Sequence, residues 1–337
     1  MSIKQFPGGI VTKNPTAPTT AAAKGIWTLA QASDFVKQGI WPRSPGAPTI
    51  GTATTSTPTT ASVPFTAPSD LGTGAVTFTA TSSPSGITGT GASPITVSGL
   101  STGTAYTFTV TASTPGGTGP ASAASNSVTP ALPAIGSAFG GGFFAGQIST
   151  VTPNVASFNL VVGPLASAQS QLEWKNANTA TPGANSTIDG PQNTADMVAD
   201  GNATVYPCAH FCNNLSTGGQ TDWYMPAKDE LEICYYNLKP DTTSNSTSSG
   251  TNTNAVPSRG SSYTAGTPAQ TSAAAFQTGG AEAFNATGTV AQNTYWCSTE
   301  SVVATLAQEQ EFSTGYQNYF RAKTGSYKVR AIRRVAV

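Results

Sequence analysis

Apolar positions along the chain repeat with two different periods, and the change of period divides it. Between residues 46 and 132 they alternate. ASVPFTAP (61–68), AVTFTATSSP (75–84), PITVSGL (94–100) and YTFTVTAS (106–113) place apolar side chains mainly at every second position and are bounded by Pro and Gly, the pattern of short strands with one buried face. Helical spacing appears further on. In TDWYMPAKDELEICYYNLKP (221–240), Leu231, Cys234, Tyr235 and Leu238 fall at i, i+3, i+4 and i+7. Pro226 suits a first turn, Asp229 and Glu230 complement the positive end of the helix dipole, and Pro240 ends the helix. In NATVYPCAHFCNNLSTGG (202–219), Cys208, Phe211, Cys212 and Leu215 repeat the spacing after Pro207, with Gly218 as a stop.

Strand patterns also flank these helices. FFAGQI (143–148) and FNLVVGP (158–164) open the C-terminal region, and SYKVRAIRRV (326–335) reads as one strand, with Tyr327, Val329 and Ala331 on one face and Lys328, Arg330 and Ile332 on the other. Residues 241–278 are polar and aperiodic, a long excursion of the kind that is functional or held by a neighbouring chain. Residues 7–20 carry no periodicity and read as an extended arm. In GIWTLAQASDFVKQGIWP (25–42), residues 30–37 make two helical turns, too little to bury both Trp27 and Trp41, so another chain is expected to cover those indoles.

Composition narrows the function. A chain of 337 residues accommodates two or three domains at ~100–200 residues each. Charged residues make up 9% and cancel to a net charge of zero, which leaves no electrostatic footprint for nucleic acid or an anionic membrane. No run approaches the ~18 apolar residues of a membrane span, and residues 1–9 lack the apolar core of a signal peptide, so synthesis in the cytosol without general secretory export is expected.

Little catalytic chemistry is written in the chain. The cysteines are Cys208, Cys212, Cys234 and Cys297, and C-x-H-x-C around the lone His210 invites a zinc reading, yet spacing on a helix spreads such ligands; buried free thiols are expected, with no metal and no cofactor. With one histidine there is no base to pair with a Ser or Cys nucleophile, and Asp229, Glu230 and Glu232 read as ordinary acids of a helix start, so no enzyme is expected. What remains is the tract 299–324, where flat aromatic rings alternate with amides, the mix that recognition surfaces favour. Phe312 and Phe320 are expected inside and Tyr316, Asn318, Tyr319 and Arg321 outside; with Gln308, Gln310 and Gln317 these make the candidate receptor-binding set.

Three stretches carry a resemblance. DWYMPAKDEL (222–231), YWCSTE (295–300) and YKVRAIRR (327–334) occur in the order seen in the C-type-lectin-like domain that ends many phage tail fibres, similar in fold to the formylglycine-generating enzymes and the phage major tropism determinant. The resemblance covers residues 139–337 and implies an α+β platform of short strands and two helices that displays a ligand surface; the EPN, QPD and WND motifs of calcium-dependent lectins are absent. GLSTGTAYTFTVTA (99–112) closely resembles the end of a fibronectin type III domain, with Tyr106 as the corner tyrosine, although the usual buried Trp of the second strand is missing. GIWTL and the later WP resemble attachment segments of phage fibres, a strand-swapped trimer cap being the other reading.

Together these imply three regions: an N-terminal virion-attachment arm at 1–45, an all-β fibronectin type III-like sandwich at 46–132 acting as a spacer or a weak sugar binder, and an α+β C-type-lectin-like domain at 133–337. The expected protein is a non-enzymatic phage fibre, a homotrimer on the virion surface of tail or head, joined to other virion proteins through Trp27 and Trp41 and binding a protein or glycan receptor on the host. The alternative is a head-decoration protein with a cementing role.

Overall fold

In the N-terminal unit, alternating strands close into a sandwich. A three-stranded antiparallel sheet runs Thr54–Thr57, Thr60–Val63, Ile95–Ser98, and a four-stranded one runs Thr88–Thr90, Thr77–Ser83, Thr107–Thr114, Gly117–Thr118. The inward residues Ala61, Val63, Ala80, Ile95, Val97, Phe108 and Val110 are buried while their neighbours along each strand are more exposed, as a period of two requires. Tyr106 is buried and its hydroxyl accepts the Ser101 backbone N–H at 3.1 Å, the corner expected from the sequence. Among the described residues no indole lies in this core; Phe65 and Phe78 meet at 4.7 Å between ring centroids.

These features belong to a computed structural model that describes residues 28–38, 42–317 and 321–337. The chain separates into two compact units, Met1–Leu132 and Pro133–Val337. A helix spans Leu29–Lys37, where the sequence predicts two turns; Trp27 and Trp41 lie outside the described residues.

The C-terminal unit is built on two sheets. One runs Ala138–Phe139, Gly142–Ile148, Phe158–Val162, Ile332–Ala336, with Ala255–Val256 added to the end of Gly142–Ile148. The other runs Gln169–Glu173, Ser326–Arg330, Thr294–Glu300, Leu306–Glu311, Arg321–Ala322. The segment 326–335 is therefore not the single strand that its alternation predicts. It changes sheet at Ala331, whose N–H donates to Ala168 O at 2.8 Å and whose O accepts Gly163 N–H at 2.9 Å. Val329, Arg330, Ala331 and Ile332 are consequently all buried, on what the alternation makes opposite faces. Glycine is required at 163, since a Cβ there would stand 2.4 Å from that of Ala168.

The helix expected to start near Pro226, with that proline in its first turn, begins at Lys228 with Ala227 as its cap, so Pro226 precedes it; it runs to Leu238 and buries Leu231, Cys234, Tyr235 and Leu238. The second expected helix is Pro207–Asn213, with Cys208 and Cys212 inside and Phe211 and Leu215 at the margin. A helix at Gly190–Asp200 has no apolar stripe to reveal it. Its start is marked instead by Asp189, whose carboxylate accepts the Gln192 N–H at 3.4 Å, and by a proline in the first turn. Trp174, Trp223 and Trp296 share one core cluster with these two helices; the Lys228–Leu238 helix packs into the other, where Phe284 stacks on Phe312 at 4.1 Å. Among the described residues no helix is long and apolar enough to cross a membrane.

Candidate functional site

The three sequence motifs of the C-terminal unit interlock. Arg333 grips Asp222 with two bonds, Nε at 2.7 Å and Nη2 at 2.9 Å. Arg334 donates from Nε to Glu230 Oε1 at 2.8 Å, and the same carboxylate accepts the Tyr224 hydroxyl at 2.7 Å and the Ala227 backbone N–H at 2.8 Å. The middle motif is tied to the helix start by Ser298 N–H donating to Pro226 O at 2.7 Å and Lys228 N–H donating to Thr299 Oγ1 at 3.0 Å. Arg330, fully buried, donates to Gly163 O and Glu282 Oε2, both at 2.8 Å.

The helix acids, read from the sequence as ordinary acids of a helix start, are buried. Glu230 and Glu232 are fully buried, and Asp229 nearly so. Burial pushes both glutamates above the ordinary carboxyl value, opposed by Arg334 at Glu230 and by Arg259 at Glu232. Glu232 is the anchor of the polar excursion: it accepts from Asn252 Nδ2 at 2.6 Å and the Tyr263 hydroxyl at 2.7 Å and pairs with Arg259. Asn252, Asn245 and Tyr263 are themselves buried, so this excursion is held by its own chain.

The candidate receptor-binding residues divide. Gln308, Gln310 and Gln317 of that set are buried, which leaves them little surface to offer a receptor. Gln310 Nε2 donates to Gly315 O at 3.0 Å, Gln317 Nε2 donates to Gln310 Oε1 at 3.3 Å, and Gln317 N–H donates to Ser249 Oγ at 3.1 Å; these amides join the tract to the excursion. Arg321 is mostly covered, pairing with Glu309 at 3.6 Å and Glu311 at 3.4 Å beside the Tyr327 ring, so it too has a structural task. Tyr316 is half-buried, Phe312 is inside as expected, and Asn318, Tyr319 and Phe320 lie outside the described residues.

Lys323 was not singled out by the sequence and is fully buried, donating to Thr179 O at 2.7 Å and Ala304 O at 2.8 Å and pairing with Glu300; burial lowers its pKa. Cys208, Cys212, Cys234 and Cys297 are free and buried. His210 Nε2 bonds Gly201 O at 2.7 Å, which turns the imidazole to the backbone, and among the described residues no group of three or more His, Cys, Asp or Glu could hold a metal.

The segment 257–267 carries one signal legible in the sequence: Arg259 is the sole charged residue between Asp241 and Glu282. With Tyr236 and Tyr263 it lines a cleft of about 350 Å³.

Residues 46–128 match the model of the fibronectin type III domain family, and the matched stretch ends before Pro133. No curated protein matches the chain. Similar solved structures include titin domains A168–A170, at 17% identity over 26% of this chain and 32% of that one with a TM-score of 0.24. The FN5 domain of Drosophila Lar is 25% identical over 26% of this chain and 99% of its own, with a TM-score of 0.21. The sixth fibronectin type III domain of human fibronectin type III domain containing protein 3 is 22% identical over 28% of this chain and 94% of its own, with a TM-score of 0.24. The chain thus spans about a third of the titin fragment, 32%.

Proposed function

We propose that the fibronectin type III domain carries a C-type-lectin-like recognition head, that the protein is a bacteriophage virion fibre, and that the head binds the host cell surface. The observation that carries the reading is the interlocking of the three motifs. Asp222 and Glu230 are paired with Arg333 and Arg334, the first at the surface and the second inside, so the motif residues form a closed frame. The polar, largely irregular segment 241–289 lies against it, held by buried Asn245 and Asn252 and tied through Gln317 to the strand Leu306–Glu311. A rigid frame under ordered polar loops is the arrangement that recognition sites use. The carboxylates of the frame have their oxygens bound to partners, which suits a framework better than acid–base chemistry.

The test is labelling of intact phage particles with gold-conjugated antibody to the chain, together with adsorption of the labelled recombinant protein to host bacteria. Label at fibre tips and saturable adsorption support the reading; label spread over the capsid, with no adsorption, supports the decoration alternative.

A further inference from the structure

The cleft beside the Lys228–Leu238 helix is built from irregular chain yet closely fixed. The Arg259 guanidinium carbon lies over the Tyr236 ring, 3.9 Å from its centroid, and the Tyr263 ring is tilted against Tyr236 at 6.4 Å. Glu232 holds both Arg259 and the Tyr263 hydroxyl from below. Arg259 and Asn252 exchange backbone hydrogen bonds at 2.8 and 2.9 Å, and Asn245 Nδ2 donates to Thr264 O at 3.1 Å and Pro268 O at 2.9 Å. The walls are therefore pre-organised, which lowers the cost of binding.

The chemistry of the lining is specific. Arg259 is its only charged residue, and Glu232 balances that charge, so the cleft offers no net attraction to an ion. Ser261, Ser262 and Thr264 put hydroxyls at an exposed rim. A guanidinium stacked on a tyrosine suits the C–H face of a pyranose, and the rim hydroxyls suit its hydroxyl groups. The volume, about 350 Å³, is at the small end of ligand sites and fits one or two sugar rings. We infer that this cleft binds a neutral, hydroxyl-rich sugar of a cell-surface polysaccharide. The inference rests on the reading of the C-terminal unit as a recognition head and names its ligand class.

The experiment applies the full chain to an array of neutral and acidic bacterial oligosaccharides, then titrates the tightest neutral oligosaccharide into the parent, Ser261→Trp, Ser262→Trp and the control Val302→Trp, with adsorption to host bacteria measured in parallel. Ser261, Ser262 and Val302 are exposed, so all three variants should melt like the parent. The expected result is a neutral oligosaccharide whose affinity falls about tenfold or more in whichever rim variant folds, while Val302→Trp leaves it unchanged. A silent array, a preference for acidic oligosaccharides, or unchanged affinity in the folded rim variants overturns the inference. Adsorption that persists in such a case leaves the recognition head standing without this cleft; a sugar bound through the cleft without adsorption retains the site and removes the host-binding reading.

Discussion

Arg334 and Glu230 stand 104 residues apart in the chain and meet in the interior, Arg334 Nε donating to Glu230 Oε1 at 2.8 Å with Glu230 fully buried. The bond joins the last strand to the first turn of the Lys228–Leu238 helix, and Asp222–Arg333 ties the same strand to the exposed segment before that helix. Removing one partner of a buried pair leaves the other charge uncompensated, which costs about 3–5 kcal/mol.

Glu230→Ala and Arg334→Ala should each lower the stability of the C-terminal unit by that amount. The urea midpoint followed by tryptophan fluorescence reports it, since Trp174, Trp223 and Trp296 are buried in this unit. A loss below about 1 kcal/mol in both variants, the level of a surface pair, would show that the latch is not structural.

The four thiols give a pH prediction. Burial pushes all of them up, Cys297 to about 12. The folded state keeps protons that the unfolded chain releases above the ordinary thiol value of 9.0, so their contribution is complete below that pH and is lost as pH rises toward the folded values. Buried Tyr224, Tyr263 and Tyr295, also pushed up by burial, act in the same direction above 10.0, while Lys323, pushed down, opposes them. Stability should therefore fall above pH 9, by about 1.4 kcal/mol per pH unit for each group in its window. Thiol-reactive dye should label the native protein slowly at pH 8 and label four sites after unfolding. Rapid native labelling would contradict the burial of Cys208, Cys212, Cys234 and Cys297.

Legibility in the sequence followed periodicity. The strands around Phe108 and the stripe Leu231, Cys234, Tyr235, Leu238 were readable because local spacing alone decides which face is buried. The Gly190–Asp200 helix was not, because it buries Asn193, Thr194 and Met197, a set without an apolar period. The split of 326–335 at Ala331 depends on Ala168 and Gly163, far away in the chain. Buried polar residues hid the site for the same reason: Gln310 and Gln317 look like surface amides until their partners Gly315, Ser249 and each other are known.

Within the candidate tract, Arg321 and Tyr316 should behave differently. Arg321→Ala leaves buried Glu309 and half-buried Glu311 without their cation and should cost about 1–3 kcal/mol. Tyr316→Ala should cost less, because its ring is half-exposed and the hydrogen bonds found at this residue use backbone atoms. Equal melting temperatures for the two variants would contradict the assignment of Arg321 to the frame.

In the fibronectin type III domain, Tyr106→Phe removes the hydroxyl that accepts the Ser101 N–H at 3.1 Å. A loss of about 1 kcal/mol is expected in the unfolding transition of that domain, with the transition of the C-terminal unit unchanged. No change in either transition would show that the corner bond contributes nothing.

The central claim, that the C-terminal unit is the part that recognises the host, is tested most directly by competition. Labelled full-length protein is adsorbed to host bacteria in the presence of an excess of fragment 133–337 or fragment 46–132, each first shown to be folded by circular dichroism. The account predicts that 133–337 displaces the full chain and that 46–132 does not; displacement by 46–132, or no saturable adsorption of the full chain, would contradict it.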